Sequence, residues 1–134
     1  TARVSDEALE IVKGIFRNWE RGDFTSVEWA DPGISYEVPG PDPEVHGIDE
    51  MQRSWLRFLQ SYENLRIEAK SFHPAGDTVV VEQTFHGKGR SSGIPLEEIA
   101  GAAVFTVRDG KVIRFRGYTN LPDALTDAGI KQDG

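Results

Sequence analysis

Apolar residues recur at two different spacings along this chain. In the first half the spacing is helical, and two sets each mark one helix face: Leu9, Val12, Phe16 and Trp19, then Met51, Trp55, Phe58, Leu59 and Tyr62. Runs rich in β-branched and aromatic residues follow and predict strands at Leu65–Phe72, Thr78–His86, Ile99–Val107 and Val112–Tyr118. The pattern therefore predicts helices first and a sheet later.

Capping residues set the expected helix boundaries. Ser5 is a suitable N-cap for the first helix, and Gly22 ends it. Asp23 is expected to cap a second, short helix carrying Phe24 and Val27, which Asp31-Pro32-Gly33 stops. Asp49 is expected to cap the helix that ends near Tyr62.

The remaining segments are strands, loops and one closing helix. Ile34–Val38 alternates apolar and polar residues and predicts a strand, after which Pro39–Pro43 forms a loop. The glycine-rich Gly87–Pro95 segment is expected to be a flexible rim. Asn120 is expected to cap a short helix ending at Gly129.

Arg108-Asp109-Gly110-Lys111 separates the last two strands. Asp-Gly between β-type runs is a strong hairpin signal, so we predict a long antiparallel hairpin here. With helices grouped early and strands late, the fold class is α+β, with helices on one face of an antiparallel sheet. The length predicts a single domain over residues 1–134.

This hairpin and the residues after it carry a family resemblance. Together with Gly22-Asp23 and Gly47, the exit Tyr118-x-Asn120-x-Pro122-x-Ala124-Leu125 resembles the SnoaL-like branch of the nuclear-transport-factor-2-like superfamily, over about Glu7 to Gly129. The resemblance implies a cystatin-like cone, in which a curved antiparallel sheet wraps around the helices in the order ααβαββββ plus a short C-terminal helix. It also implies an internal ligand pocket and a homodimer through the outer sheet face.

Composition excludes several classes of partner. The formal charge is −7, from 15 basic and 22 acidic residues, and no basic run offers a surface for nucleic acid. There is no cysteine, no histidine pair with ligand spacing, and no apolar run long enough to cross a membrane. We expect a cytoplasmic protein without a metal or cofactor.

Aromatic residues within the predicted elements are candidates for lining the pocket. Trp19, Trp55 and Phe105 come first, because the resemblance places aromatics there. The full set of predicted pocket residues is Trp19, Tyr36, Trp55, Phe58, Phe105, Arg116 and Tyr118. For each aromatic the alternative is an ordinary core position; for Arg116 it is a solvated or dimer-facing surface with acids such as Glu68 and Glu82.

Two residues are candidates for acid–base catalysis. The resemblance to ketosteroid isomerase, through WADPGISYEVPG, places its carboxylate base at Glu37, although a glutamate on the polar face of a strand needs no function. His86 follows a strand beside the glycine-rich rim and can titrate near neutrality. The oxyanion donors of that enzyme would fall near Ile15 or Phe16 and near Ala103, and none of these side chains can donate.

The catalytic acids of two other relatives are also missing from this chain. An aspartate of limonene epoxide hydrolase would correspond to Gly117, and the acid of many SnoaL-type cyclases is replaced by Asn120. The segment GKGRSSG lacks the order of a phosphate loop.

Three functions therefore stay open. The leading hypothesis is a pocket protein that binds a small, largely apolar ligand without a cofactor. The alternative is an isomerase, cyclase or hydrolase with Glu37 or His86 as general base, and the third is a protein-interaction domain with a filled interior.

Overall fold

The computed structural model describes residues 2–39, 44–89, 93 and 95–130. They form three helices and six strands, in the order α1 (Ala2–Glu20), β1 (Ala30–Glu37), β2 (Val45–His46), α2 (Ile48–Gln60), β3 (Tyr62–Ala75), β4 (Thr78–Gly89), β5 (Pro95–Arg108), β6 (Lys111–Tyr118) and α3 (Leu121–Asp127). The sequence-based prediction of an α+β fold is confirmed.

All six strands belong to one sheet, in the order β2-β1-β6-β5-β4-β3. The predicted β5–β6 hairpin is present, and its turn residues Asp109 and Gly110 both have positive φ, 52° and 77°. Register shifts interrupt the β3–β4, β4–β5 and β5–β6 ladders, and bulges of this kind bend strands.

The sheet is mixed, which corrects the expectation of a purely antiparallel one. β1 pairs with β6 in parallel, with Ser35 opposite Arg114 and Glu37 opposite Arg116. Sequence periodicity could not show this pairing, because it depends on which strands meet and not on the pattern within either one.

The predicted short helix after Gly22 is also absent, so the order is αβαββββα. Oδ1 of Asp23 instead accepts hydrogen bonds from the backbone amides of Thr25 and Ser26, at 3.3 and 3.2 Å. Such a turn competes with helix formation, and a segment this short cannot offset the cost of helix nucleation. Phe24 and Val27 still pack against the core from this loop.

Helix boundaries agree with the predictions in part. Gly22 follows α1 with φ 84°, as expected for a residue that ends a helix, but α1 begins at Ala2, before Ser5. The N-cap of α2 is Gly47 and makes no side-chain hydrogen bond, so Asp49 lies inside the first turn. Asn120 caps α3 as predicted, accepting from the amide of Asp123 at 2.8 Å.

The other strand and loop boundaries shift by a few residues. Tyr62 begins β3 and does not end α2. Part of the predicted Pro39–Pro43 loop (40–43) and part of the predicted Gly87–Pro95 rim (90–92 and 94) lie outside the described residues.

The main core lies between α1 and the sheet. α1 buries one stripe, consisting of Ala8, Val12, Ile15, Phe16 and Trp19. The ring of Phe16 meets Phe72 and Phe105 edge-on, with centroids 6.0 and 5.9 Å apart. A second, smaller cluster lies on the outer face of the sheet, where Val80, Ala102 and Val104 contact Ala124 of α3.

Candidate functional site

The helix-facing side of the sheet changes in side-chain size from one row of residues to the next. One row across β4, β5 and β6 is bulky, with Val79 opposite Phe105 and Phe105 opposite Phe115. In the next two rows, the residues on β5 and β6 are small: Gly101 lies opposite Gln83, and Ala103 lies opposite Gly117. Because these positions carry little or no side chain, space is left between the sheet and the helices.

That space is a cavity of about 220 Å³. It exceeds an engineered cavity of roughly 150 Å³ that binds benzene, and it is below the ~300–1,000 Å³ common for drug-sized ligands. Its size suits a small molecule of one or two rings. The aromatic residues that line it are Trp19, Tyr36, Trp55, Phe58, Tyr62, Phe85, Phe115 and Tyr118.

Stacked rings form one wall of the cavity. Trp55 stacks on Trp19 on one side and on Phe58 on the other, with centroids 5.4 Å apart in both pairs. The indole N–H of Trp55 donates to the carbonyl oxygen of Phe24 at 2.6 Å, which fixes the ring and satisfies its polar group. Tyr36, which stacks on Phe115 at 5.1 Å, also lines the cavity.

The polar chemistry of the cavity is sparse. Among the described residues, those that line it include no Asp, Glu, His, Lys or Arg. Polar side chains come from tyrosines, Thr119 and Gln83. An apolar cavity with a few polar groups is typical of sites that bind uncharged small molecules.

Gln83 is the buried polar group of the cavity. The residue is 6% exposed, and its Oε1 has no hydrogen-bond partner among the described residues. Sequence analysis did not single out Gln83, although its amide falls in alternation with Val79, Val81 and Phe85, which was a visible signal.

Five of the seven predicted pocket residues line the cavity: Trp19, Tyr36, Trp55, Phe58 and Tyr118. Phe105 does not. It is fully buried between Phe16 and Phe115 and belongs to the core, which was the alternative reading for an aromatic.

Arg116 also lies outside the cavity lining. Its side chain is 12% exposed, and Nη2 donates to Oγ of Ser35 and to Oε2 of Glu44, both at 2.8 Å. Nη1 donates to the carbonyl oxygen of Phe115, at 2.9 Å. The hydrogen bond from Ser35 and the charge of Arg116 lower the pKa of Glu44. This guanidinium links β1 and β6 rather than facing a ligand.

Neither candidate base lines the cavity. The side chain of Glu37 is 50% exposed, with Oε1 3.6 Å from Nε of Arg116. His86 lies on the outer face of β4, where its side chain is 19% exposed and Nε2 is 3.5 Å from Oε1 of Glu68. The two residues are not brought together.

Tyr118 borders the cavity, but its hydroxyl is bonded on the opposite side of the sheet. It donates to Oδ2 of Asp127 in α3, and Arg114 binds both oxygens of that carboxylate at 3.1 Å. Burial, and then the bond to Asp127, raises the pKa of Tyr118 to about 12. Burial alone would raise the pKa of Asp127, but the hydrogen bonds from Arg114 and Tyr118 hold it below its usual value.

Four positions that the sequence analysis compared with acids or donors of catalytic relatives, namely Ile15, Phe16, Ala103 and Gly117, are apolar here. Gly117 lines the cavity, and Ala103 is buried beside it. Ile15 and Phe16 are buried in the core. In the part of the chain that the structure describes, no three His, Cys, Asp or Glu residues are grouped to hold a metal ion. The described helices include none with the length and hydropathy needed to span a bilayer.

Sequence reasoning missed several residues of the cavity. Tyr62, Phe85, Phe115 and the two floor glycines, Gly101 and Gly117, all line it. The aromatics could have been found from strand alternation once one inward residue was known. The glycines gave a weaker signal, namely their isolation inside apolar strands.

Comparisons with known proteins agree with this architecture. Residues 12–115 match the family model for the SnoaL-like domain. A nuclear-transport-factor-2-like protein from Burkholderia thailandensis is 25% identical, with a TM-score of 0.74 over 88% of this chain and 96% of that one. No curated protein matches the sequence.

Two further structures share the fold at lower identity. One, from Catenulispora acidiphila, has a ketosteroid-isomerase-like fold and was crystallised with trimethylamine; it is 18% identical, with a TM-score of 0.69 over 91% of this chain and 94% of that one. The other is a proposed polyketide cyclase from Xanthomonas campestris, 20% identical, with a TM-score of 0.70 over 92% and 97%. The fold thus occurs in proteins described as cyclases and in one that holds a small molecule.

Proposed function

We propose that this chain, which belongs to the SnoaL-like domain family, is a small-molecule binding protein that holds a neutral, largely apolar guest without a cofactor. The observation that carries the proposal is the cavity of about 220 Å³, whose described lining is aromatic and aliphatic with few polar groups. Burying apolar surface of a guest there contributes about 25 cal/mol per Å². A charged guest would lose its hydration without gaining a partner of opposite charge.

Catalysis by Glu37 or His86 is the alternative, and the geometry favours binding over it. A general base must come within hydrogen-bond reach of the proton it removes, directly or through one water. A guest in the cavity meets neither side chain among the residues that line it. The third hypothesis, an interaction domain, requires a filled interior, and the small residues of the sheet floor argue against it.

Calorimetric titration with indene, a neutral bicyclic hydrocarbon, tests the proposal. We expect binding by the wild type and at least tenfold weaker binding by Val38→Phe, because Val38 lines the cavity and the larger ring would occupy it. Ile113→Phe is the matched control, since Ile113 is a half-buried strand residue that does not line the cavity. Its affinity for indene should equal that of the wild type.

The binding proposal fails if indene does not bind, or if both phenylalanine variants weaken binding equally. Native mass spectrometry of protein purified from its source is an independent check, since a natural guest would appear as a co-purifying mass. Native mass spectrometry also tests the predicted homodimer through the outer sheet face, because it gives the mass of the assembly. Part of that face is already covered by α3.

A further inference from the structure

The side-chain amide of Gln83 lies where an apolar residue would be more stable. It projects from β4 on the same side as Val81 and Phe85, both of which pack against the main core. A buried acceptor that lacks a donor costs about 1–3 kcal/mol, and native proteins contain few of them. The carbonyl oxygen of Gln83 is such an acceptor among the described residues.

Gln83 and the residue opposite it in the ladder both line the cavity. Gly101 pairs with Gln83 and also lines the cavity. A Cβ at that position would lie 3.1 Å from Cε2 of Phe85 and 3.3 Å from the carbonyl oxygen of Tyr118. Even an alanine would therefore crowd the ring of Phe85, so glycine allows that ring to lie close to β5 at the floor of the cavity.

We propose that Gln83 is the polar anchor of the cavity and accepts a hydrogen bond from a hydroxyl or N–H group on a flat, uncharged, apolar guest. The inference rests on the proposed binding function and adds the chemical class of the guest. Oε1 is itself buried in the ligand-free structure, so the guest reaches it once the terminal amide turns toward the cavity. A donor is required because the unpaired atom of Gln83 is its carbonyl oxygen. A flat guest is favoured because stacked rings, Trp19, Trp55 and Phe58, form one wall.

Three bicyclic probes of nearly equal shape separate these requirements. Indole offers an N–H donor, benzofuran offers only an acceptor, and indene offers neither. Each probe is titrated calorimetrically into the wild type and into Gln83→Leu. The loss of affinity caused by the substitution should be largest for indole. We expect the ratio of the indene to the indole dissociation constant to fall about tenfold in Gln83→Leu, the effect of one net hydrogen bond.

Thr84→Val is the matched control. Thr84 is the next residue of β4, is also buried and polar, and projects toward the outer face. The probe ratio should be the same in this variant as in the wild type. Gln83→Met, which keeps the length of the side chain, serves as a second variant should Gln83→Leu not fold.

The possible outcomes distinguish the two proposals. If all three probes bind and the ratio does not change in Gln83→Leu or Gln83→Met, the anchor is refuted while the binding function stands. A wild-type preference for benzofuran that disappears in the same variants would refute the donor requirement. If no probe binds, the binding function fails and the anchor fails with it.

Discussion

The helix-facing side of the sheet has two halves that differ in how the space above them is filled. In the packed half, Phe105 and Phe115 meet edge-on at 5.0 Å, and Phe16 closes over them. In the hollow half, small residues such as Gly101 and Gly117 line the cavity. The strands β5 and β6 run through both halves, so backbone geometry is shared and side-chain size decides which half is core.

The largest expected effect comes from replacing one phenylalanine with alanine in each half. Phe105→Ala should lower the free energy of unfolding by about 4 kcal/mol, because it leaves a cavity among fully buried neighbours. Phe58→Ala should cost about 2 kcal/mol, since Phe58 is half-buried and already borders open space, so that the transfer of the ring to solvent dominates. Urea unfolding at neutral pH measures both.

The same pair of variants also separates stability from binding. Phe58→Ala is expected to change the affinity for indene, whereas Phe105→Ala, if folded, should leave it nearly unchanged because Phe105 does not line the cavity. Equal losses of stability in the two variants would contradict the division into a packed and a hollow half.

A smaller effect is expected from a substitution in α3, which packs on the outer face of the sheet. Asp127→Asn should lower the free energy of unfolding by about 1.5 kcal/mol, because it removes the negative charge and one of the two oxygens that accept from Arg114. The pKa of Asp127 is depressed in the folded state. The stabilisation is therefore present above the unfolded-state pKa of about 4 and is lost as the pH falls through the folded-state value.

Urea titrations from pH 7 to pH 2 check this dependence on pH. The difference in stability between wild type and Asp127→Asn should shrink toward zero at the acid end. Indene affinity at pH 7 should be the same in both proteins, since Asp127 does not line the cavity. A difference that stays constant with pH would rule out ionised Asp127 as the source of the stabilisation.

The smallest expected effect has the opposite sign. Gln83→Leu should raise the free energy of unfolding of the ligand-free protein by about 1 kcal/mol, because it removes a buried acceptor without a donor. Thr84→Val should give no such gain, since its hydroxyl lies within 3.5 Å of Nε2 of His86. Thermal unfolding of the two variants in parallel measures the contrast, and a destabilised Gln83→Leu would mean that the amide has a structural partner.

Local patterns predicted much of this fold and less of its interior. The β5–β6 hairpin and the cap at Asn120 depend on a few adjacent residues, so their signals are complete in the sequence. The short helix after Asp23 failed because a side-chain turn used the same backbone amides. Alternation along β4 separated two faces, but it could not say that the face of Gln83 would adjoin empty space, since that depends on Gly101 in another strand.

Long-range pairing explains the remaining differences. Arg116 was a candidate for the pocket, yet β1 lies beside β6 and supplies Ser35 and Glu37 as nearby groups. The contact between Glu44 and Arg116 is likewise invisible to any local window. Catalytic candidates chosen by sequence position alone are therefore sensitive to strand order, which the sequence did not reveal.

The parallel β1–β6 pair also has a kinetic consequence. It joins segments separated by roughly 80 residues, and closing so long a loop costs chain entropy before the contact contributes any stability. During synthesis on the ribosome, Tyr36 must wait for Phe115 to emerge before the two rings can stack. The cavity is therefore incomplete until β6 has been synthesised, and under the proposed function a guest can stabilise the fold only from that point on.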